Sequence, residues 1–166
     1  MIADVIPLSF RLIEMSLVSE LITHRKTANG LVDAGDLDSA VGVANEILRI
    51  ISLPEFPAFF RTRGNGSYCA YSILGMAAVK NGDSATAAKL LLFAGQTPPS
   101  PARQTFGPNM ILSQMLLDSG KVDAVLKFLE CCKETWYLGT SEIELWSRQI
   151  NAGEQPDFGA NLNYSL

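Results

Sequence analysis

Three times along this chain an apolar segment ends on a glycine, a charged residue follows, and a second apolar segment starts at once. The first copy reads Leu31-Val32-Asp33-Ala34-Gly35-Asp36-Leu37 and continues through Ala40, Val41, Ala44, Ile47 and Leu48. The second runs through Leu74, Gly75 and Ala78 to Asn81-Gly82-Asp83, then through Ala87, Leu90, Leu91 and Ala94. The third places Leu112, Met115 and Leu116 before Ser119-Gly120-Lys121, with Val125, Phe128, Leu129 and Cys132 after it. Glycine tolerates the left-handed conformation that closes a helix, and an Asp directly behind it can accept a free N–H of the next helix. With apolar residues at helical period on both sides, the phrase predicts antiparallel helix pairs and an all-α fold.

Around these pairs, Leu8 to Thr23 carries a broad apolar face and is expected to form a helix, with Leu31 to Gly35 at its end or in a short successor. Ser141 and Glu144 have the spacing of a capping box for a last helix containing Ile143, Leu145, Trp146 and Ile150. Two Pro-rich connectors, Leu53 to Gly66 and Gly95 to Pro108, break the helical pattern. The stretch 153–166 has no helical period and is expected to form an extended tail, packed on the domain or trailing from it. The whole chain, 1–166, thus reads as one domain of about 6–8 helices in an irregular stack of antiparallel pairs.

Leu74-Gly75, the turn Gly82-Asp83, Ala87 and Ala94 at close contacts, and Pro99 resemble the tetratricopeptide repeat. The glycines Gly35, Gly82 and Gly120 are 47 and then 38 residues apart, whereas that repeat keeps an interval near ~34 residues. The resemblance therefore implies an irregular tetratricopeptide-like α-α superhelix. Phe106-Gly107-Pro108-Asn109-Met110 and Pro156-Asp157-Phe158-Gly159-Ala160-Asn161-Leu162, with Leu116-Leu117, Gly120, Val125-Leu126, Cys132 and Trp136, are similar to a bacterial group of uncharacterised tetratricopeptide-like proteins. That similarity implies the fold and brings no activity with it.

At 166 residues the chain is long enough to bury one core without a metal or a disulfide. Hydrophobic residues make up 48% and aromatics only 8%, so aliphatic packing of helices is favoured. A net charge of -4 argues against nucleic acid as a partner. Arg11, Arg25 and Lys26, with Arg61 and Arg63, read as solvated surface. Three cysteines make no closed disulfide framework, which fits a reducing cytoplasm. Arg11 and Glu14 interrupt the first apolar run, so it is not expected to be a signal peptide. No run approaches the ~18 uncharged apolar residues of a membrane span.

Candidate chemistry is sparse. His24, the one histidine, is expected near a helix end, where a cation meets the dipole favourably. Without a second histidine, no Ser-His-Asp or Cys-His arrangement assembles, and no metal or cofactor site is expected. Cys131 and Cys132 point about 100 degrees apart around a helix. Cys132 is expected at a helix contact and Cys69 in the core. Arg61-Thr62-Arg63-Gly64-Asn65-Gly66-Ser67 is read as a mobile connector capped by Ser67, whose free amides offer an alternative role in holding an anion. Phe56, Phe59 and Phe60 must be covered, by the domain or by another copy.

In a stack of this kind the first helix of each pair lines the concave side, which receives a peptide or helix. Tyr68, Tyr71, Ser72, Asn109, Ser113 and Gln114 are the lining positions. Tyr68, Tyr71 and Asn109, with Arg61 and Arg63, are the candidate partner-binding residues. The expected function is a non-enzymatic adaptor for an unidentified protein or peptide. A self-associating homodimer is the alternative, and an enzyme or small-ligand binder ranks last.

Overall fold

The glycine turns form as the spacing predicts. In a computed structural model that describes residues 8–57 and 61–166, apart from the side chains of Leu8, Phe10 and Arg61, Gly35, Gly82 and Gly120 have φ of 78°, 80° and 73°. In the first turn the Gly35 N–H donates to the Val32 carbonyl and the Asp36 N–H to the Leu31 carbonyl, both at 2.9 Å. Gly82 and Asp83, then Gly120 and Lys121, repeat the pair of bonds, satisfying carbonyls that a helix end would otherwise leave free. Asp36 accepts from the Ser39 N–H and Asp83 from the Thr86 N–H, so each turn that ends one helix caps the next. Lys121 has no such side-chain bond.

Eight α-helices result among the described residues, with no strand. They are α1 (Leu8–Asp33), α2 (Leu37–Ile51), α3 (Arg61–Lys80), α4 (Ser84–Gly95), α5 (Pro101–Phe106), α6 (Ile111–Asp118), α7 (Val122–Lys133) and α8 (Thr140–Asn151). Single 3-10 turns lie at Tyr137–Gly139 and Gly159–Leu162. The three turns make the pairs α1/α2, α3/α4 and α6/α7. The stack continues as α2 on α3, α4 on α7 and α7 on α8. Leu21, Ala40, Ala44 and Ile47 fill the first interface, Ile73, Leu91 and Leu116 the middle, and Phe128, Leu129 and Ile143 the far end. Each fully buried large side chain contributes roughly 1.5–3 kcal/mol.

Of the two alternatives for Leu31 to Gly35, the end of the first helix is the one that forms, while other local expectations change. α1 is one continuous helix to Asp33, because Leu21, Arg25, Ala28 and Val32 keep an inward face while Thr23, Lys26, Thr27 and Gly30 point outward. His24 consequently sits in mid-helix. The stretch Arg61 to Ser67 is the start of α3 rather than a connector. Ser67 Oγ bonds back to the Arg63 carbonyl instead of capping a helix. Tertiary packing overrides the glycines' poor helix propensity: a Cβ on Gly64 would run into the Pro98 carbonyl, and one on Gly66 would meet Leu21 at 2.9 Å.

The expected capping box at Ser141 and Glu144 does not form. The Tyr137–Gly139 turn runs directly into α8, which begins at Thr140, and Ser141 Oγ bonds the Glu142 carboxylate. Gly139 is fixed there by the Trp136 ring, which leaves no room for a Cβ. A fourth glycine turn, unforeseen in the sequence, closes α8. The Gly153 N–H donates to the Ile150 carbonyl and the Glu154 N–H to the Gln149 carbonyl. No α-helix follows; Pro156 comes three residues later and biases the residue before it to an extended conformation.

The chain then returns across the domain. Trp146 Nε1 donates to the Asp157 carbonyl at 2.9 Å, and the Phe158 ring meets the Trp146 ring edge-on at 5.1 Å. Asn161 donates from Nδ2 to the Phe106 and Pro108 carbonyls, and its own carbonyl accepts from the Met110 N–H. At the far end Leu166 is buried against α1, its N–H donating to Asn29 Oδ1 and its carbonyl accepting from Asn29 Nδ2 and Arg25. Residues 156–166 are thus a strap that joins the last helix to the first. Phe56 is buried, while Phe59 and Phe60 lie outside the described residues.

Candidate functional site

The strap, α1, α3 and α5 enclose a cleft of about 330 Å³. α1 brings Arg25, α3 brings Asn65 and Tyr68, α5 brings Ala102, Arg103 and Phe106, and the strap brings Tyr164, Ser165 and Leu166. Local sequence explains why Arg103 is there. Ser100 caps α5 by accepting from the Arg103 N–H, and Pro101 at the first helical position fixes φ for the turn. The Gly95-to-Pro108 connector thus contains a short helix.

Arg103 lies over the Tyr68 ring, its guanidinium carbon 4.3 Å from the centroid, and donates from Nη2 to the Pro98 carbonyl. Arg25 donates from Nη2 to the Leu166 carbonyl at 3.0 Å. The Nε of each arginine is buried without a hydrogen-bond partner among the described residues. Burial lowers the Arg103 pKa from its usual value, and the neighbouring Arg25 charge acts in the same direction. No Asp or Glu is among the described lining residues. The cleft therefore holds two like charges, each with an unsatisfied donor, beside the apolar surfaces of Phe106, Tyr164 and Leu166. An unsatisfied buried donor costs roughly 1–3 kcal/mol, more when charged.

The other reactive groups nearby are neutral. Burial raises the pKa of the Tyr68 hydroxyl and the Cys132 thiol, and pushes Cys69 up to about 11. Such thiols are protonated and weakly nucleophilic near neutrality.

Tyr68 and Asn109 are brought together, but in the interior: they are 3% and 6% exposed, and the Tyr68 hydroxyl donates to the Asn109 carbonyl. Asn109 also donates from Nδ2 to the Tyr164 carbonyl. Only Tyr68 lines the cleft. Tyr71 packs its ring on Phe93 at 5.7 Å, away from it. Arg63 is exposed on α3, and the Arg61 side chain lies outside the described residues. Ser72 and Ser113 are buried, and Gln114 is half-buried. Sequence reasoning missed Arg103 and Tyr164 and took Arg25 for solvated surface. The Ser100-Pro101 pair, a helix start inside a connector, was the one signal pointing to Arg103.

Fold and cleft together define an all-helical domain whose last residues close over a two-arginine cleft. Comparison with protein-family models gave no match, and no curated protein or solved structure matches the chain.

Proposed function

We propose that this domain is a non-enzymatic binding module, an adaptor that takes an acidic segment of a partner protein into the Arg25–Arg103 cleft. One observation carries the reading: two guanidinium groups share a cleft whose described lining contains no Asp or Glu side chain, and each leaves a buried Nε unpaired. Arginine forks suit carboxylates, and the apolar wall gives the flanking side chains a surface. A tetratricopeptide-like helical stack in the cytoplasm belongs to the same proposal, supported by the three helix–glycine–helix turns. No described helix is long and apolar enough to cross a membrane.

The test is fluorescence anisotropy with labelled peptides of equal length that differ in Asp and Glu content. Acidic peptides bind, weaken as salt rises, and lose affinity to Arg25→Met and Arg103→Met. Equal binding of the neutral peptide, or binding untouched by both substitutions, overturns the reading.

Self-association is the second reading, supported by α1, where Leu12 and Met15 are 59% and 70% exposed beside Ile13 and Ile22. Isolated monomers seldom leave such a stripe open. Light scattering at high concentration separates the two, and a strict monomer removes the dimer.

A further inference from the structure

We propose a second binding site, independent of the cleft: Glu20 and His24 of α1 and Glu46 of α2 hold a divalent transition-metal ion that clamps the first helix pair. Glu20 and His24 are one turn apart, which stacks them on one face of α1. α2 packs against that face, and one ligand atom from each of the three side chains lies within 4.8 Å of the other two. All three residues are partly exposed, with the Glu46 side chain 37% open to solvent, so an ion can reach them.

The histidine is oriented as a ligand needs to be. His24 Nδ1 lies 2.9 Å from the Glu20 main-chain carbonyl. A carbonyl only accepts, so Nδ1 carries the proton in this contact, and Nε2 is the nitrogen that the neutral ring offers to an ion. Metal-bound histidines are usually held in this way, with the second ring nitrogen on a carbonyl or carboxylate. One imidazole and two carboxylates give a borderline N/O donor set, which suits Zn²⁺, Co²⁺ or Ni²⁺ better than the all-oxygen sites of Ca²⁺ and Mg²⁺.

Glu46 is the ligand with a present partner: both its oxygens accept from Arg49, at 2.8 and 2.9 Å from Nε. The Arg49 side chain is 55% exposed and free to swing away. Among the described residues no side-chain hydrogen bond joins α1 to α2, so the ion supplies their polar link.

Co²⁺ alone, titrated into the full chain by calorimetry and visible absorption, tests the site. One ion is expected per chain, with weak N/O-type bands and no thiolate charge-transfer band from the cysteines. His24→Ala and Glu20→Gln each weaken binding by roughly tenfold or more at unchanged helix content. Arg49→Ala tightens it by freeing Glu46, an effect that general destabilisation does not produce. No saturable uptake, a thiolate band, undiminished binding by His24→Ala, or weaker binding by Arg49→Ala overturns the proposal.

Discussion

The Tyr68 hydroxyl donates a 3.0 Å hydrogen bond to the Asn109 main-chain carbonyl, so the third helix is tied to the connector that precedes the sixth. Both residues are buried, and removing the hydroxyl leaves a carbonyl without that partner. Tyr68→Phe is expected to cost about 1–3 kcal/mol in urea unfolding. A variant as stable as the wild type would show that the bond contributes nothing.

The strap is expected to be part of the folding unit. Phe158 is 1% exposed and meets Trp146 edge-on, so Phe158→Ala should cost about 3–5 kcal/mol. Urea unfolding should show a single transition by both fluorescence and circular dichroism. An early separate transition in the tryptophan signal would mean that the strap detaches on its own.

Gly64 and Gly66 should differ. A Cβ at Gly64 meets the rigid Pro98 carbonyl, whereas one at Gly66 meets the side chains of Leu21 and Ile47, which can adjust. Gly64→Ala is expected to destabilise by about 1–3 kcal/mol through overpacking. Gly66→Ala should be milder, and thermal melts that rank the two the other way round would refute the close approach of α3 to Pro98.

The turn caps predict an acid dependence. Hydrogen bonds from Ser39 and Thr86 hold the Asp36 and Asp83 carboxyls below their ordinary 3.8. A depressed folded pKa gives stability that is fully present above 3.8 and is lost as pH falls through the lowered value. Asp83→Ala should therefore lower the melting temperature at pH 7 and make little difference in strong acid. The third turn lacks a cap, so Lys121→Asp should raise the melting temperature. No rise would show that this helix start is already satisfied.

The thiols predict an alkaline limit and an order of reactivity. Burial raises Cys69 from 9.0 to about 11. A raised folded pKa gives stability that is present below 9.0 and lost as pH climbs towards about 11. Cys131 is half-buried, while Cys69 and Cys132 are buried. Alkylation followed by peptide mass mapping should label Cys131 first and the other two only on unfolding. Early labelling of Cys69 would contradict its place in the core.

Much of the fold was legible because its signals are local. A glycine turn is decided within six residues, by which carbonyls need donors and which residue accepts φ near 80°, and all three foreseen turns formed. The same chemistry at Gly153 is harder to read, since no second apolar helical segment follows it. Arg61 to Ser67 misled for the opposite reason: its glycines say loop locally, yet they are what lets α3 approach Pro98 and Leu21.

The sequence by itself determined the all-helical class, the helix pairs and the Asp caps, because backbone satisfaction and apolar period act over a few residues. Only the tertiary structure decided where function is to be sought. It turned Asn109 inward to hold the strap, brought Arg25 and Arg103 into one cleft, and set Glu46 beside His24. Those neighbours come from different helices, and helix packing over long sequence separations alone places them together.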